Sequence, residues 1–311
     1  MSELCRLRDV HMGYGREEVL CGVELAISRG AIWGLVGDNG SGKSTLLKVL
    51  AGILRPARGW LEAPGDKPRI GYMPENCQWY PHMTGAQVLR YFARYSGAGI
   101  DEQEAILKRV GLWAARDKKV GAYSKGMRQK LGLAQAIAGD PELLILDEPT
   151  NGLDPRGIID FYAILQERVA AGATALLSSH LLAELDGRIS HVAFLRGGRI
   201  VVSGACAALL RAAGLPCRVV IEAEDTAALD RAVGAGQWSF RRRGRAVEIE
   251  LPTAAVRSLL RLVGGGAFEV DSVQIRPPNL EDLYLRGFAA PFCGNGQSDA
   301  VPVGKGGSAR E

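Results

Sequence analysis

The 311-residue sequence contains no uncharged apolar run that approaches the roughly 18–20 residues needed to cross a bilayer. Its N-terminal stretch, MSELCRLRDVHMGYGREEVL, carries charges throughout, so it resembles neither a secretory signal peptide nor a transit peptide. We therefore expect no membrane-spanning segment and no cleaved leader in this chain.

Paired cysteines and a strong excess of one charge are also missing. The six cysteines are scattered with no CxxC pair, which argues against a disulfide framework and a zinc site and favours reduced thiols in a cytoplasm. A net charge of +4 is too small to indicate a nucleic-acid partner. The length allows one large domain and a smaller one.

Short apolar runs alternate with helical patterns over the first two-thirds of the chain. This alternation predicts an α/β domain with a mostly parallel sheet over residues 1–216. Helical periodicity occurs at 44–54 and from 84 to about 139. The predicted strands are 31–37, 69–73, 142–149 and 173–180.

The pattern changes after residue 216. Residues 217–290 read as strand, helix, strand, strand, helix and strand, which predicts a small ferredoxin-like α+β domain. The RRRGR stretch at 241–245 falls between two of these strands and predicts a solvated hairpin turn. The Gly/Ser-rich residues 291–311 lack apolar periodicity and predict a disordered tail.

The stretch GDNGSGKS, from Gly37 to Ser44, fits the pattern G-x-x-x-x-G-K-[ST] between a predicted strand and a predicted helix. Glycines allow successive backbone N–H groups to turn toward phosphate oxygens, and the helix N-terminus adds a favourable dipole. Lys43 can then reach the β- and γ-phosphates, while Ser44 offers its hydroxyl to Mg²⁺. The stretch predicts a nucleotide site.

Two carboxylates end the apolar run ELLILDEP. Asp147 can hold Mg²⁺, and Glu148 can orient and polarise an attacking water. Alone, the pair could be ordinary acids at the end of a strand. Together with the phosphate loop, they indicate nucleotide hydrolysis.

Across residues 4–215 the chain resembles the ATP-binding subunit of an ABC (ATP-binding cassette) transporter. The stretch AYSKGMRQKLGLAQA stands at the position of the family's signature helix, and Ser124 and Gly126 match its motif whereas the flanking residues depart from it. Asp154 in NGLD resembles the acid of the loop that communicates across the dimer. The resemblance implies a homodimer in which the signature motif completes the site of the other copy.

The resemblance also assigns the remaining ligand contacts of ATP and Mg²⁺. His180 would contact the γ-phosphate and act with Glu148 in catalysis, and Tyr14 would stack on adenine. Glu75 replaces the glutamine usual in the loop that links the nucleotide to the membrane partner. The resemblance implies Mg²⁺ ligands at Ser44, Glu75 and Asp147, and phosphate contacts at Gly37, Asn39, Gly40, Gly42, Lys43, Ser44 and Thr45.

The segment GYMPENCQWYPHM, residues 71–83, contains four soft side chains: Met73, Cys77, His82 and Met83. Their spacing fits no compact metal motif, although a metal site stays open as an alternative. Because the segment contains Glu75, we interpret it as a hinge between the nucleotide and a docking surface for the membrane subunit, formed by Tyr80, Pro81 and Met83.

Three stretches, GYMPENCQWYPHMTGAQVLRYFARYSG, YSKGMRQKLGLAQA and PPNLEDLYL, are together similar to the Nos-type ATPases of nitrous-oxide reductase maturation. That likeness implies copper delivery with an integral membrane permease and a periplasmic copper-related β-helix protein, on the cytoplasmic face of the inner membrane. The alternatives are the ATPase of a drug or polysaccharide exporter, a cassette ATPase acting on ribosomes or DNA, and a metal-binding module without enzymatic activity.

Overall fold

The computed structural model describes residues 2–235, 238–265 and 269–287. The strands in these ranges form three β-sheets. The strands are β1 (Glu3–Tyr14), β2 (Glu17–Ser28), β3 (Ile32–Val36), β4 (Arg58–Glu62), β5 (Ile70–Met73), β6 (Leu143–Leu146), β7 (Thr174–Ser179), β8 (His191–Arg196), β9 (Arg199–Ala205), β10 (Cys217–Ala223), β11 (Phe240–Arg243), β12 (Ala246–Leu251) and β13 (Val270–Arg276). The helices are α1 (Lys43–Leu50), α2 (Gly85–Ser96), α3 (Ile100–Arg109), α4 (Lys125–Ile137), α5 (Pro155–Ala170), α6 (Leu182–Leu185), α7 (Cys206–Ala213), α8 (Thr226–Ala235), α9 (Val256–Gly264) and α10 (Leu280–Gly287). No helix in these ranges is long and apolar enough to cross a membrane.

The central sheet has six strands in the order β5-β6-β7-β3-β8-β9. Its first five strands are parallel, and β9 pairs antiparallel with β8. Every residue of β3, β6 and β7 is buried, as expected for parallel strands covered on both faces. The predicted mostly parallel α/β sheet is confirmed, and β6 ends at Leu146, just before the two carboxylates.

A second sheet, β2-β1-β4, is antiparallel and was not anticipated from the sequence. The β1–β2 ladder contains several register shifts, and each shift interrupts the alternation by which a half-buried strand is recognised. The sheet packs against α1 through a shared core that includes Leu7, Val10, Leu20, Leu46 and Leu47.

The region predicted to be helical from 84 to 139 consists of three separate helices, α2, α3 and α4. A reciprocal capping box between Thr84 and Gln87 starts α2. Gly97, with φ of 79°, ends α2, and Gly111, with φ of 72°, follows α3. Both glycines adopt the left-handed conformation that terminates helices, and they separate the three helices of this region.

The C-terminal sheet is fully antiparallel, in the order β11-β12-β10-β13. With α8 and α9 it follows the chain order β-α-β-β-α-β and encloses a core of its own. Gly244, with φ of 61°, forms the turn between β11 and β12, within the stretch predicted as a hairpin turn.

Helix α10 packs away from this C-terminal core. Its residues Leu280 and Leu283 are only 1% and 2% exposed and belong to the core of the central sheet. The predicted range 217–290 therefore includes one helix that the structure packs against the first domain. The predicted disordered tail, 291–311, lies outside the described residues.

Candidate active site

A glycine-rich loop connects the carboxyl end of β3 to the start of α1. Gly40 and Gly42 have φ of 80° and 102°, a conformation that favours glycine. At Gly37 an added Cβ would lie 2.2 Å from the carbonyl oxygen of Leu195, so a side chain would not fit. The local fold thus favours glycine at Gly37 and Gly42, which the phosphate-loop motif specifies, and also at Gly40, where the motif allows any residue.

The ammonium group of Lys43 lies over this loop. Its Nζ donates hydrogen bonds to the carbonyl oxygens of Gly37 at 2.7 Å and Asp38 at 3.1 Å. Lys43 is only 7% exposed, so the two carbonyl oxygens compensate in part for the burial of its charge. An anion entering the loop would meet a lysine that is already positioned.

The two acidic residues after β6 are both bonded to a buried serine of the neighbouring strand β7. The Ser178 hydroxyl donates to Oδ1 of Asp147 at 2.7 Å and accepts the backbone N–H of Glu148 at 2.8 Å. Gln129 of α4 donates its Nε2–H to the carbonyl oxygen of Glu148 at 3.2 Å. Neither Ser178 nor Gln129 was predicted as a site residue, although a serine in a fully buried strand signals a polar partner.

Glu148 and His180 form a pair at the carboxyl ends of β6 and β7. Oε2 of Glu148 lies 2.9 Å from Nδ1 of His180, and the glutamate side chain is 10% exposed against 38% for the histidine. Glu148 also has φ of 45°, a left-handed conformation that costs energy for a residue other than glycine. Such strain clusters at functional sites, which agrees with the catalytic role predicted for Glu148.

One cavity of about 420 Å³ brings most of the predicted residues together. Val19 and Asn151 also line it and were not anticipated. Asp147 directly precedes Glu148 in the chain, and the carbonyl oxygen of Gly37 accepts a hydrogen bond from Lys43, so each of the two contacts or adjoins a residue that lines the cavity. The predicted residues that line the cavity are Asn39, Gly40, Gly42, Lys43, Ser44, Thr45, Glu75, Glu148 and His180.

The oxygen donors predicted for Mg²⁺ are the hydroxyl of Ser44 and the carboxylates of Glu75 and Asp147. Hydroxyl and carboxylate oxygens are the hard ligands that Mg²⁺ prefers. Within the described ranges, however, no group of three or more His, Cys, Asp or Glu side chains has metal-binding geometry. The residues fit a Mg²⁺ that takes its remaining ligands from substrate phosphates and water, as this ion usually does.

Three predicted residues occupy the starts of helices outside the cavity. The side chain of Ser124 accepts the N–H of Met127 at 3.2 Å and caps α4, and Asp154 caps α5. Gly126 faces the loop before α5, since an added Cβ there would lie 3.0 Å from the carbonyl oxygen of Gly152. None of the three lines the 420 Å³ cavity of the single chain.

Tyr14, predicted to stack on adenine, ends β1 and is 52% exposed. It does not line the cavity either. Its exposed ring lies outside this cavity, so stacking on adenine stays a prediction.

The segment 71–83 divides its soft side chains between the core and the surface. Met73 is fully buried, and the Cys77 thiol packs toward Gly132 of α4, where an added Cβ would lie 2.7 Å from Sγ. Burial raises the pKa of Cys77 to about 12, which disfavours the thiolate that a metal would need. Met83, predicted to face the membrane subunit, instead packs against the core, whereas His82 is exposed and Tyr80 is 68% exposed.

The fold and this cavity define a phosphate-loop nucleoside triphosphatase. The family model described as ABC transporter matches residues 20–151. An uncharacterized ABC transporter ATP-binding protein of Bacillus subtilis (strain 168), YdbJ, is 32% identical over 89% of this chain and 92% of its own length. The chain belongs to the ATP-binding proteins of ABC transporters. It is an ATPase that binds ATP and couples hydrolysis to transport, and ATPase subunits of this family dimerise and act with membrane permeases.

Two further similarities agree with this assignment. The daunorubicin resistance ATP-binding protein DrrA3 of Streptomyces coeruleorubidus is 30% identical over 88% of this chain and 92% of its own length. A solved ATP-binding subunit of an ABC transporter superimposes with a TM-score of 0.62 at 31% identity, covering 67% of this chain and 92% of that chain. The structural match is therefore to about two-thirds of the chain, whereas the sequence match to the relatives extends further.

Proposed function

We propose that this chain is the ATPase subunit of an exporter for an amphiphilic small molecule. The observation that carries the proposal is the cavity in which the phosphate loop faces the Glu148–His180 pair, at the carboxyl ends of adjacent strands. Nearly full-length similarity to a daunorubicin resistance ATP-binding protein supports the export of a drug-like molecule. The membrane permease would supply the pathway for that molecule.

In hydrolysis, Glu148 polarises the attacking water through its carboxylate, and His180 holds that carboxylate and contacts the γ-phosphate. Lys43 leaves the loop carbonyls for the β- and γ-phosphate oxygens. Ser44, Glu75 and Asp147 would hold Mg²⁺, which would supply positive charge against the phosphate oxygens. Ser178 fixes the Asp147 carboxylate and the Glu148 backbone relative to each other, because its hydroxyl bonds to both residues.

A second copy of the chain completes the site. Ser124 and Gly126 at the start of α4 would face the γ-phosphate bound by the partner copy, and Asp154 would lie at the contact between copies. The Ser124 hydroxyl already accepts one N–H but keeps its own O–H, which can donate to a phosphate oxygen. Support comes from the position of these residues at helix starts outside the cavity of the single chain, where the N–H groups left without a cap favour an anion.

The permease would dock on the helical region at the cytoplasmic face of the inner membrane. Exposed apolar and aromatic side chains in and beside α2 support this surface, namely Tyr80, Tyr91, Tyr95 and Ile100, each between 47% and 78% exposed. Glu75 would transmit the state of the nucleotide to this surface along the segment 71–83.

In this proposal the C-terminal unit is a ferredoxin-like module of residues 217–276. Its separate core and its strand order support a domain of its own. Helix α10 belongs to the ATPase body, because Leu280 and Leu283 are buried there. The boundary of the module therefore moves from 290 to the end of β13.

The relatives do not support the Nos-type hypothesis of copper delivery with a periplasmic β-helix partner. The drug-exporter alternative agrees with the relative that is a daunorubicin resistance ATP-binding protein. An assay that separates the two hypotheses measures ATP turnover by the chain together with its co-purified permease in lipid vesicles. We expect daunorubicin, used as an amphiphilic probe, to stimulate turnover and Cu(I) to leave it unchanged. Stimulation by Cu(I) alone would refute the exporter proposal.

A further inference from the structure

Helix α10 brings a tyrosine from the C-terminal end of the described chain to the phosphate loop. The hydroxyl of Tyr284 lies 3.4 Å from Oδ1 of Asp38, the second residue of the loop. The two residues are 246 positions apart in sequence. No motif in the sequence pairs them, and the contact exists only because α10 returns to the ATPase body.

The position of Tyr284 is set by well-defined packing. Asn279 and Asp282 cap the start of α10 reciprocally, since each side chain accepts the backbone N–H of the other at 2.9 and 3.2 Å. Leu280 and Leu283 anchor the helix in the core. The Tyr284 ring then lies against Phe194 of β8, with ring centroids 5.4 Å apart.

The hydroxyl is in the state required of a donor. Burial, together with the nearby carboxylate of Asp38, raises the pKa of Tyr284 above its ordinary value. Tyr284 therefore remains protonated at neutral pH, and its O–H donates to the carboxylate.

Asp38 connects this contact to the lysine that binds phosphate. While its side chain accepts from Tyr284, its backbone carbonyl accepts from Nζ of Lys43 at 3.1 Å and from the N–H of Ser41 at 3.1 Å. Tyr284 also lines a cavity of about 240 Å³ with Gly37, Asp38, Asn39 and His180. One tyrosine thus borders the loop on the side next to the catalytic histidine.

We propose that Tyr284 is a positioning residue that fixes the Asp38 side of the phosphate loop and so tunes ATP affinity. The hydrogen bond holds the Asp38 carboxylate toward α10, away from the approaching phosphates. Without the hydroxyl, that negative charge is free to reorient toward the bound nucleotide, and the loop loses a constraint. The inference rests on the proposed role of the phosphate loop in ATP binding.

The test measures the Kd of a non-hydrolysable ATP analogue with Mg²⁺ on the full chain. Tyr284→Phe removes only the hydroxyl and keeps the ring on Phe194, and we expect a roughly three-fold weaker Kd, the size of one modest hydrogen bond. Asp38→Ala removes the acceptor, so adding Tyr284→Phe in that background should change Kd no further. The matched control is Tyr162→Phe, which removes a buried hydroxyl that has no partner in the described structure.

Thermal unfolding of the variants separates positioning from packing, because a packing role would lower Tm without the dependence on Asp38. Equal effects of Tyr284→Phe in the wild-type and Asp38→Ala backgrounds, or an unchanged Kd in Tyr284→Phe, would overturn the inference. Lys43→Ala tests the underlying proposal. A normal Kd in Lys43→Ala would refute the phosphate-loop role itself, whereas at least a ~10-fold loss there with no Tyr284 effect defeats only the inference.

Discussion

The cavity around the phosphate loop and the starts of α4 and α5 use their polar groups differently. In the cavity, Lys43 lies over loop carbonyls and Glu148 pairs with His180, so each group faces a space that a ligand can enter. At the helix starts, Ser124 and Asp154 accept backbone N–H groups of their own helices. The two regions carry halves of one predicted site, and only the first half is assembled within a single chain.

The difference teaches that a capping residue can serve two purposes. A helix start leaves several N–H groups without helical partners, and one cap satisfies only part of them. The remaining N–H groups and the helix dipole favour an anion. The cap stabilises the start of α4 within one chain, and the remaining N–H groups are the ones that the proposed composite site would direct at a phosphate of another copy.

Removing the catalytic carboxylate should give the largest effect, and it concerns the cavity alone. In Glu148→Gln the amide no longer polarises water, so turnover should fall at least ~100-fold while ATP still binds. Steady-state hydrolysis measures the loss of turnover, and equilibrium binding of ATP shows whether affinity is retained. Glu104→Gln, on an exposed glutamate of α3 paired with Lys108, is the control and should keep full turnover. Near-normal turnover in Glu148→Gln would remove that residue from the mechanism.

The second prediction concerns the start of α4, where Ser124 lies outside the cavity of the single chain. With ATP and Glu148→Gln the chain should dimerise, and adding Ser124→Arg should weaken the dimer by roughly 100-fold, because the interface would bury a cation in place of a hydroxyl. Sedimentation at several protein concentrations measures this. Ser203→Arg adds the same charge at an exposed position of β9 and should leave the dimer intact. A dimer that survives Ser124→Arg contradicts a composite site.

A third prediction concerns Ser178, the buried serine that bonds to the carboxylate of Asp147 and to the backbone N–H of Glu148. Ser178→Ala leaves Asp147 without its 2.7 Å donor, and we expect turnover to fall roughly 10-fold and the free energy of unfolding to fall by about 1–3 kcal/mol. Ser28→Ala removes a buried hydroxyl that has no partner in the described structure and should cost less on both measures. Equal losses in the two variants would show that Ser178 only fills space.

The smallest effects are expected in the segment 71–83. Tyr80→Glu replaces an exposed ring with a negative charge on the proposed docking surface. Basal hydrolysis should persist, whereas stimulation by the permease should be lost because docking would bury that charge. Met83 is unsuitable for the same change because it packs against the core. Replacing Cys77 with Ser and His82 with Asn should leave turnover within about two-fold. Loss of turnover together with loss of a stoichiometric bound copper in that double variant would instead establish a metal site.

Much of the cavity could be predicted from the sequence because its motifs are local. The strand before Gly37, the glycines and Lys43 follow one another within a few residues, so the chain itself fixes their spacing. The same holds for Asp147 and Glu148, which directly follow β6. Parallel strands end at one edge of a sheet, and this rule alone places the two motifs near each other.

Other features depended on contacts between distant parts of the chain. Ser178 and Gln129 carry no motif, and their roles follow from the register of β6 beside β7 and from the packing of α4. The β1–β2 sheet was missed because its register shifts hide the alternation of exposed and buried residues.

The sequence by itself determined an ATP-hydrolysing site, since phosphate binding and water activation need particular residues at short spacings. Only the tertiary structure decided where the C-terminal helix belongs. The predicted C-terminal unit ended with a strand and did not anticipate α10, whose buried face includes Leu280 and Leu283. Burial of an apolar face is non-directional, so these two leucines alone do not specify which core they join. In the folded chain α10 packs against the core of the central sheet, and this packing places Tyr284 beside Asp38.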